Sequence, residues 1–249
     1  MIGGRREQIL SALAQRQFMR VEDIALLLDC SLTTARRELA VLAAAGQVKR
    51  THGGAVPVAA AQPQRATQAD PFAAAKGRIA VAAAALVADG DTIGLGGGST
   101  TLAVARQLRG RRIGLVTNSV DIALDLITGT NSRVVLLGGL LSPISREVVG
   151  PEANEMLARI AIDTLFVSVE GISADEGTTT IGTLEAEVLR TMAAQARRVV
   201  VTADHRKVGR AALTRILPLS SISTLITDPY PSAALEAVKR AGVEVIEAE

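Results

Sequence analysis

The sequence predicts two units of different fold class. A small, mainly helical unit ends in a β-hairpin, and an α/β unit with a parallel sheet follows it. Helical spacing of apolar residues dominates the first 56 positions, whereas short aliphatic runs alternate with helical segments from Phe72 onward. Apolar residues make up 48% of the chain but aromatic residues only 2%. Aliphatic side chains therefore fill the core, as is typical of buried parallel strands.

Three helices and a hairpin are predicted within residues 1–56. Ser31 is a suitable N-cap for the third helix, and Gly46 is a suitable residue to end it. The helices are predicted at residues 5–15, 21–28 and 32–45, and the strands at residues 47–51 and 55–56. Helical spacing predicts that the third helix buries Leu32, Ala35, Leu39 and Leu42.

The positive charge of the chain is concentrated in these 56 residues. They carry eight basic and five acidic side chains, a balance of +3, while the remaining residues have a balance of −1. Nucleic-acid binding needs such a local excess, because it neutralises phosphates and releases counterions. The candidate DNA-contacting residues are Ser31, Thr33, Thr34, Arg36, Arg37, Lys49, Arg50 and His52.

Arg36 and Arg37 are neighbours on the predicted third helix. Alone, such a pair indicates only a solvated helix face. Together with the turn, the N-cap, the basic hairpin and the local charge, it indicates a winged helix-turn-helix that binds double-stranded DNA. Arginine can donate two parallel hydrogen bonds to guanine O6 and N7, while serine and threonine hydroxyls suit phosphate oxygens.

Residues 57–71 contain three prolines and few large apolar side chains, which predicts a linker. Residues 72–249 form the predicted α/β unit, which we expect to bind an effector and to hold the chain in an oligomer. Its helices are predicted at residues 72–88, 100–109, 119–128, 151–160, 183–195 and 231–240. Its strands are predicted at residues 91–96, 112–117, 133–138, 163–169, 197–202, 223–227 and 243–246.

A glycine-rich loop, Gly94 to Thr101, joins a predicted strand to a predicted helix. Its glycines allow backbone N–H groups to approach an anion, and the helix N-terminus adds a favourable dipole. A tight turn that needs glycine only for its shape is the alternative, and the loop alone does not decide between the two. A dinucleotide-binding loop is disfavoured because Ser99 stands where that motif needs glycine, and the Gly-Lys pair of a Walker A motif is missing.

Polar and glycine residues also follow the other predicted strands, at the sheet edge where open α/β folds bind ligands. Lys207 is a suitable cation for a phosphate, and Asp204 a suitable acceptor for sugar hydroxyls. The alternative for each position is an ordinary loop. The candidate effector-binding residues are Gly96, Gly97, Gly98, Ser99, Thr100, Thr101, Asn118, Ser119, Gly138, Gly139, Glu170, Gly171, Asp204 and Lys207.

Several classes of site and location are disfavoured by composition. The chain has one cysteine, Cys30, and two histidines, so that neither an internal disulfide nor a zinc-type ligand cluster is expected. The charged N-terminus does not resemble a signal peptide, and the apolar run at residues 79–88 is shorter than a membrane-spanning helix. We expect a soluble, cytoplasmic protein without a membrane partner, a metal or a cofactor.

Residues 31–55, SLTTARRELAVLAAAGQVKRTHGGA, resemble the winged-helix signature of the DeoR family of bacterial regulators. The matching positions are Ser31, Thr34, Arg36, Arg37, Leu39, Gly46 and residues 52–55. Ala35 and Glu38 replace the usual isoleucine and aspartate but keep the residue class. The stretches DGDTIGLGGGSTT, VTNS, LLGG, FVSVEGI and ADHRK, with Gly150 and Gly209, resemble the sensor domain of the same family.

The resemblance implies a fold related to sugar-phosphate isomerases and a DNA-binding repressor of sugar-metabolism genes that a phosphorylated sugar relieves. We expect a homodimer or homotetramer without catalytic residues. Gly96 stands where the family often has an acid, and residues 204–207 depart from its Asp-x-Ser-Lys pattern. One alternative is an isomerase with Asp204, Glu170 or Glu187 as the base and Lys207 as a stabilising cation. Another is a C-terminal domain that oligomerises without a ligand.

Overall fold

The computed structural model describes residues 2–16, 19–44, 47–51, 54–57, 70–127 and 132–249. Its internal contacts divide the chain after residue 69 into two compact units, called here the N-terminal unit and the C-terminal unit. Among the described residues, no helix is both long and apolar enough to cross a membrane.

The N-terminal unit contains three helices and a small antiparallel sheet, as the sequence predicts. Its elements are α1 (Ile2–Arg16), β1 (Met19–Arg20), α2 (Val21–Leu27), α3 (Leu32–Ala44), β2 (Val48–Thr51) and β3 (Gly54–Pro57). The strand order is β1-β3-β2, and Thr51 lies opposite Gly54 in the hairpin. The two-residue strand β1 is too short to be predicted. Gly46 and His52 lie outside the described residues.

The core of the N-terminal unit consists of aliphatic side chains from all three helices. Ile9 of α1 and Ile24 of α2 are fully buried, and Leu39 and Leu42 of α3 are 1% exposed. Each such side chain contributes about 1.5–3 kcal/mol when it is removed from water. The expectation that Leu32 is buried is wrong, since its side chain is 41% exposed. Leu32 is the first residue of α3 and lies at the end of the helix, beyond the buried positions that begin at Ala35.

The C-terminal unit is a seven-stranded parallel sheet with helices on both faces, accompanied by two smaller sheets. Its helices are α4 (Ala73–Ala84), α5 (Ser99–Gln107), α6 (Val120–Ile127), α7 (Pro151–Leu157), α8 (Thr183–Ala194) and α9 (Ala233–Arg240). Its strands are β4 (Thr92–Leu95), β5 (Gly114–Thr117), β6 (Arg133–Leu136), β7 (Leu140–Ser142), β8 (Glu147–Val149), β9 (Ile162–Val167), β10 (Gly171–Ser173), β11 (Gly177–Thr180), β12 (Ala196–Thr202), β13 (Thr214–Arg215), β14 (Thr224–Thr227) and β15 (Glu244–Glu247).

The strand order of the large sheet is β15-β14-β12-β9-β4-β5-β6, and all neighbouring pairs are parallel. The order therefore runs one way from β4 to β6 and the other way from β9 to β15. It reverses between β4 and β9, where the loops that follow the two strands diverge. Open α/β sheets bind their ligands in the crevice at such a reversal point.

Two apolar clusters cover the two faces of this sheet. On one face, Ile79 of α4 and Val104 of α5 pack with Ile93 and Phe166 of the sheet, all fully buried. On the other face, helices α7, α8 and α9 pack against residues such as Val167. Aliphatic side chains make up most of both clusters, as the composition predicts, and among the described residues Phe166 is their one aromatic member.

The smaller sheets of the C-terminal unit are not predicted by the sequence. They are the hairpin β7–β8 and the antiparallel sheet of order β10-β11-β13. Their strands have two to four residues and little alternation of apolar and polar side chains. Strands of this kind are held by pairing with distant segments, which a local pattern does not reveal.

Candidate functional site

In the N-terminal unit, helix α3 begins with the predicted serine cap. The backbone N–H of Thr34 donates to Ser31 Oγ at 3.2 Å, and the side-chain hydroxyl oxygens of Ser31 and Thr34 lie 2.9 Å apart. The cap satisfies one of the backbone N–H groups that a helix start leaves without an intrahelical partner. Both hydroxyl groups therefore lie at the N-terminal end of α3, the end that a recognition helix presents to the major groove.

Arg36 and Arg37 lie on the exposed side of α3. Together with Thr33 and Ala40 they form an exposed stripe at helical spacing, opposite the buried Leu39. Among the described residues, neither arginine has an ion-pair partner. The stripe thus presents two uncompensated guanidinium groups, which is the arrangement that recognition of guanine or phosphate needs.

Glu38 points away from this stripe and serves a structural role. Its carboxylate accepts a hydrogen bond from Arg6 Nε of α1 at 2.7 Å. The ion pair joins α1 to α3, so that the Glu38 carboxylate is paired with Arg6 and not with an arginine of the stripe. In the hairpin, the backbone of Lys49 and Arg50 in β2 pairs with Val56 and Ala55 of β3.

In the C-terminal unit, the candidate effector-binding residues gather at one edge of the large sheet. They all follow the carboxyl ends of parallel strands and so meet at the same edge. Gly96–Thr101 follow β4, Asn118 and Ser119 follow β5, Gly138 and Gly139 follow β6, Glu170 and Gly171 follow β9, and Asp204 and Lys207 follow β12.

The glycine-rich loop after β4 is shaped by close packing. Gly98 has φ of +136°, and a Cβ atom there would lie 2.6 Å from Ser168 Cβ. Gly98 thereby lets the loop approach Ser168, whose Oγ lies 3.5 Å from Thr101 Oγ1 across the β4–β9 reversal point. The loop leads directly into α5, and no side chain of the described residues caps that helix. The N–H groups of its first turn therefore face a position that an anion can occupy.

Within this loop the three hydroxyl residues differ in accessibility. Ser99 is partly exposed, whereas Thr100 is 5% exposed and Thr101 is fully buried. The Thr101 hydroxyl donates to the carbonyl of Gly98 at 3.0 Å. Ser99 consequently carries the most accessible of the three hydroxyl groups.

Lys76 of α4 is a residue that the sequence did not reveal. Its Nζ donates to Ser99 Oγ at 2.8 Å and to Asp70 Oδ2 at 2.6 Å. The hydrogen bond from Lys76 lowers the pKa of the Asp70 carboxyl below its usual value. A single lysine in an alanine-rich helix resembles a solvated side chain, and only the fold brings it to the glycine loop.

Glu147 of β8 is the second residue that the sequence did not reveal. Asn118 Nδ2 donates to Glu147 Oε2 at 2.9 Å, and Glu147 lies against Gly97 of the loop. The pKa of Glu147 is raised to about 7, mainly by burial; the Asn118 hydrogen bond lowers it and the nearby Glu185 carboxylate adds to the rise. Asn118 Oδ1 is buried without a hydrogen-bond partner among the described residues. This side of the loop is rich in hydrogen-bond acceptors and suits a ligand that donates, such as a sugar hydroxyl.

Asp204 and Lys207 are both engaged within the protein. Both carboxylate oxygens of Asp204 accept from the Arg206 guanidinium, at 2.8 and 3.0 Å. Burial opposes ionisation of Asp204, but the hydrogen bonds from Arg206 hold its pKa below the usual value. Lys207 forms an ion pair with Glu170. The four side chains form two charge pairs at the carboxyl edge of the sheet.

The ring of His205 lies between two other rings beside these pairs. It stacks on Tyr230 with 4.6 Å between ring centroids and meets the Phe72 ring at 5.9 Å in an edge-on arrangement. Its Nδ1 lies 2.7 Å from Asp228 Oδ2, and its backbone N–H donates to Asp228 Oδ1 at 2.8 Å. These contacts join the loop after β12 to the loop after β14 and to the residue that precedes α4.

A depression of about 490 Å³ lies at the opposite edge of the sheet, lined by residues such as Thr92, Gly114 and Arg133. It collects the amino ends of β4, β5 and β6 and contains no glycine-rich loop before a helix N-terminus. The glycine-rich loop and the helix N-terminus that follows it lie at the carboxyl edge, away from this depression.

The match to protein families covers both units. The family model of the DeoR-like helix-turn-helix domain matches residues 5–60, and the family model of the DeoR C terminal sensor domain matches residues 72–229. The chain belongs to the DeoR family. This DeoR-family chain is a DNA-binding transcriptional regulator, with a helix-turn-helix unit followed by a sensor domain.

Its relatives within the DeoR family match along nearly their whole length. The HTH-type transcriptional repressor CsqR of Escherichia coli K12 is 32% identical, over 97% of this chain and 94% of its own. The transcriptional repressor AccR of Agrobacterium fabrum is 31% identical, over 94% and 92%. Among solved structures, a ribose 5-phosphate isomerase A from Methanocaldococcus jannaschii is 19% identical, covers 55% of this chain and 53% of its own, and has a TM-score of 0.40.

Proposed function

We propose that this DeoR-family regulator is a repressor of sugar-metabolism genes that releases its operator when a phosphorylated sugar binds the C-terminal unit. The observation that carries this proposal is the position of the glycine loop and Lys76 at the reversal point of the strand order. An anion at the loop meets backbone N–H groups, the Ser99 hydroxyl and an ammonium group together. The relatives CsqR and AccR are both named as transcriptional repressors, which supports the direction of control.

On the DNA side, the exposed stripe of α3 supports base reading by Arg36 and Arg37. Each bidentate arginine–guanine pair contributes about 1–3 kcal/mol of discrimination against the wrong base. We assign phosphate contacts to the hydroxyl residues at the start of α3. The hairpin residues reach the adjacent backbone or the minor groove. The phosphate-contacting set is Ser31, Thr33 and Thr34, and the hairpin set is Lys49, Arg50 and His52.

On the effector side, we assign the phosphate group to the loop at Gly96–Thr101 with Lys76 and Lys207 as cations. Sugar hydroxyls contact the carboxyl edge through acceptors and polar groups that flank the loop. These are Asn118, Ser119, Glu147, Glu170 and Asp204, while Gly138, Gly139 and Gly171 allow close approach of the backbone. Release of DNA requires that the ligand binds the DNA-free state more tightly than the DNA-bound state.

The two units and the linker between them have separate proposed roles. We infer that residues 1–56 bind DNA, residues 57–71 link the units, and residues 72–249 sense the effector and assemble a homodimer or homotetramer. The contact boundary after residue 69 and the start of the sensor-domain match at residue 72 support this division. A C-terminal unit that only oligomerises is the rival, and it gives no role to the glycine loop beside Lys76.

We infer that the chain binds its effector without converting it. Among the bases considered for an isomerase, Asp204 is held by Arg206, Glu170 by Lys207, and Glu187 is exposed on α8. A general base must be free to take a proton from a bound substrate, and the first two of these carboxylates are engaged in ion pairs. Incubation of the purified chain with ribose 5-phosphate is expected to give no ribulose 5-phosphate, and turnover would support the isomerase instead.

A thermal-shift screen of phosphorylated sugars tests the proposed function. A ligand at one hundred times its Kd stabilises the native state by about 2.7 kcal/mol, which raises the Tm of a domain this size by roughly 5–10 °C. The sugar phosphate that raises the Tm is then added to the complex with DNA from the flanking region of its gene. We expect the complex to dissociate. Absence of a Tm shift with every phosphorylated sugar would favour a ligand-free oligomerisation domain.

A further inference from the structure

The segment that enters the C-terminal unit, called here the entry turn (residues 70–72), is held by groups of the proposed anion site. Asp70 starts the turn, directly after the residues that join the two units. Its Oδ1 accepts from the N–H of Phe72 at 3.0 Å, and its carbonyl accepts from the N–H of Ala73 at 2.9 Å. The remaining oxygen, Oδ2, accepts from Lys76 Nζ at 2.6 Å.

Lys76 connects this carboxylate to the glycine loop. The same ammonium donates to Ser99 Oγ at 2.8 Å, and the lysine side chain is only 14% exposed. The Asp70 carboxylate is therefore an anion of the protein itself, and Lys76 connects it to the Ser99 hydroxyl at the start of α5. A phosphate held at the N–H groups of α5, beside Ser99, would be close enough to the same ammonium to compete with the carboxylate for it.

A second contact holds the entry turn to the loop after β12. The Arg206 guanidinium lies 3.2 Å above the centroid of the Phe72 ring while it donates to both oxygens of Asp204. Cation–π stacking of this kind fixes the ring as well as the guanidinium group. The entry turn thus contacts the loop after β12 directly, through Phe72, and is linked to the loop after β4 through Lys76 of α4.

We propose that Lys76 is the cation that recognises the anionic group of the effector, and that Asp70 occupies Lys76 until the effector displaces it. The inference rests on the proposed function and specifies its regulation. Two anions within hydrogen-bond distance of one ammonium repel each other, so that the phosphate and the Asp70 carboxylate exclude each other. Displacement frees the entry turn, which is the first part of the C-terminal unit after the connection to the DNA-binding unit.

Phosphate binding to variants of the full chain tests this competition. Inorganic phosphate is titrated calorimetrically into the wild type, D70N, K76Q and the double variant D70N/K76Q at fixed ionic strength. We expect D70N to bind phosphate about tenfold more tightly than the wild type, and K76Q about tenfold more weakly. The double variant is expected to match K76Q, because the gain from D70N depends on the lysine.

Two control variants separate competition from general effects. D89N removes the same negative charge from an ion pair with Arg111 that lies before the amino ends of β4 and β5, at the sheet edge opposite the glycine loop. This variant is expected to bind phosphate as the wild type does. K76R keeps the positive charge and is expected to retain most of the binding, which guards against loss of folding in K76Q. Equal affinities of D70N and the wild type would overturn the proposal, as would a gain from D70N that persists in the double variant.

The same variants connect the competition to DNA release. Operator binding is followed by fluorescence anisotropy while inorganic phosphate is added to the full chain. We expect D70N to release DNA at about tenfold lower phosphate concentration than the wild type. If the wild type binds phosphate and releases DNA but D70N behaves identically, the role of Asp70 is refuted and the proposed function stands. If neither phosphate nor any sugar phosphate binds the wild type, both fail.

Discussion

Replacement of Glu147 by glutamine is expected to stabilise the C-terminal unit at alkaline pH. Glu147 lies at the acceptor-rich side of the glycine loop, and burial raises the pKa of its carboxyl group to about 7, from an ordinary value of 4.5. Glutamine keeps an oxygen that accepts from Asn118 Nδ2 and removes the charge. The variant E147Q therefore isolates the cost of an ionised carboxylate at this position.

The size of the effect follows from the pKa difference between the folded and the unfolded chain. A shift of one unit corresponds to about 1.36 kcal/mol, so that a rise from 4.5 to about 7 corresponds to roughly 3 kcal/mol. Because the folded-state pKa is the higher one, protonation favours the native state. The contribution of Glu147 is fully present below pH 4.5 and is lost as the pH rises through 7.

Because the chain has a single tyrosine, the pH dependence of the free energy of unfolding of the C-terminal unit can be measured in the full-length protein. Tyr230 stacks on His205 in the C-terminal unit, and the chain has no tryptophan. Tyrosine emission during urea unfolding therefore reports on that unit alone. Between about pH 5 and pH 8.5, the free energy of unfolding is expected to fall roughly 2–3 kcal/mol more in the wild type than in E147Q.

E155Q, an exposed position on α7, serves as the matched control and is expected to follow the wild type at both pH values. Parallel pH dependences for the wild type and E147Q would show that Glu147 is ionised without penalty in the folded chain. That result would refute the account of an acceptor-rich, poorly solvated side of the glycine loop.

Two further predictions concern the DNA stripe and the glycine loop. The double variant R36A/R37A is expected to lose sequence-specific operator binding, by roughly tenfold or more for each arginine, in a mobility-shift assay. R112A/R197A removes two exposed arginines from the C-terminal unit and is expected to bind normally; retained specificity in the first variant would refute the recognition stripe. G97A places a Cβ against the Glu147 carboxylate and is expected to weaken sugar-phosphate binding at least tenfold, measured by calorimetry. Unchanged affinity would place the effector elsewhere.

Much of the fold was predictable because its main elements carry strong local patterns. The seven strands of the large sheet are aliphatic runs between helical segments, and each was expected within a few residues of its observed position. The strands β10, β11 and β13 were not expected, since they are short and their pairing joins residues far apart in sequence, such as Thr180 and Thr214. Leu32 was expected to be buried because helical spacing identifies a face of a helix but not where that face begins.

The candidate site was predictable only in part, for a different reason. The loop glycines and hydroxyls lie close together in the sequence and at strand ends, so that their common edge follows from the topology. Lys76 and Glu147 lie on other elements, and only tertiary packing brings them to the loop. The pairing of Asp204 with Arg206 and of Lys207 with Glu170 is likewise a property of the folded chain.

The central claim is that an anionic ligand at the glycine loop controls DNA binding by the N-terminal unit. Its most direct test is the anisotropy of a labelled operator fragment bound to the full chain during titration with a phosphorylated sugar that raises the Tm. The account predicts that the sugar phosphate releases the DNA, and that the K76Q variant stays bound at the same concentration. Release of both proteins at the same ligand concentration, or no release of the wild type, would contradict the account.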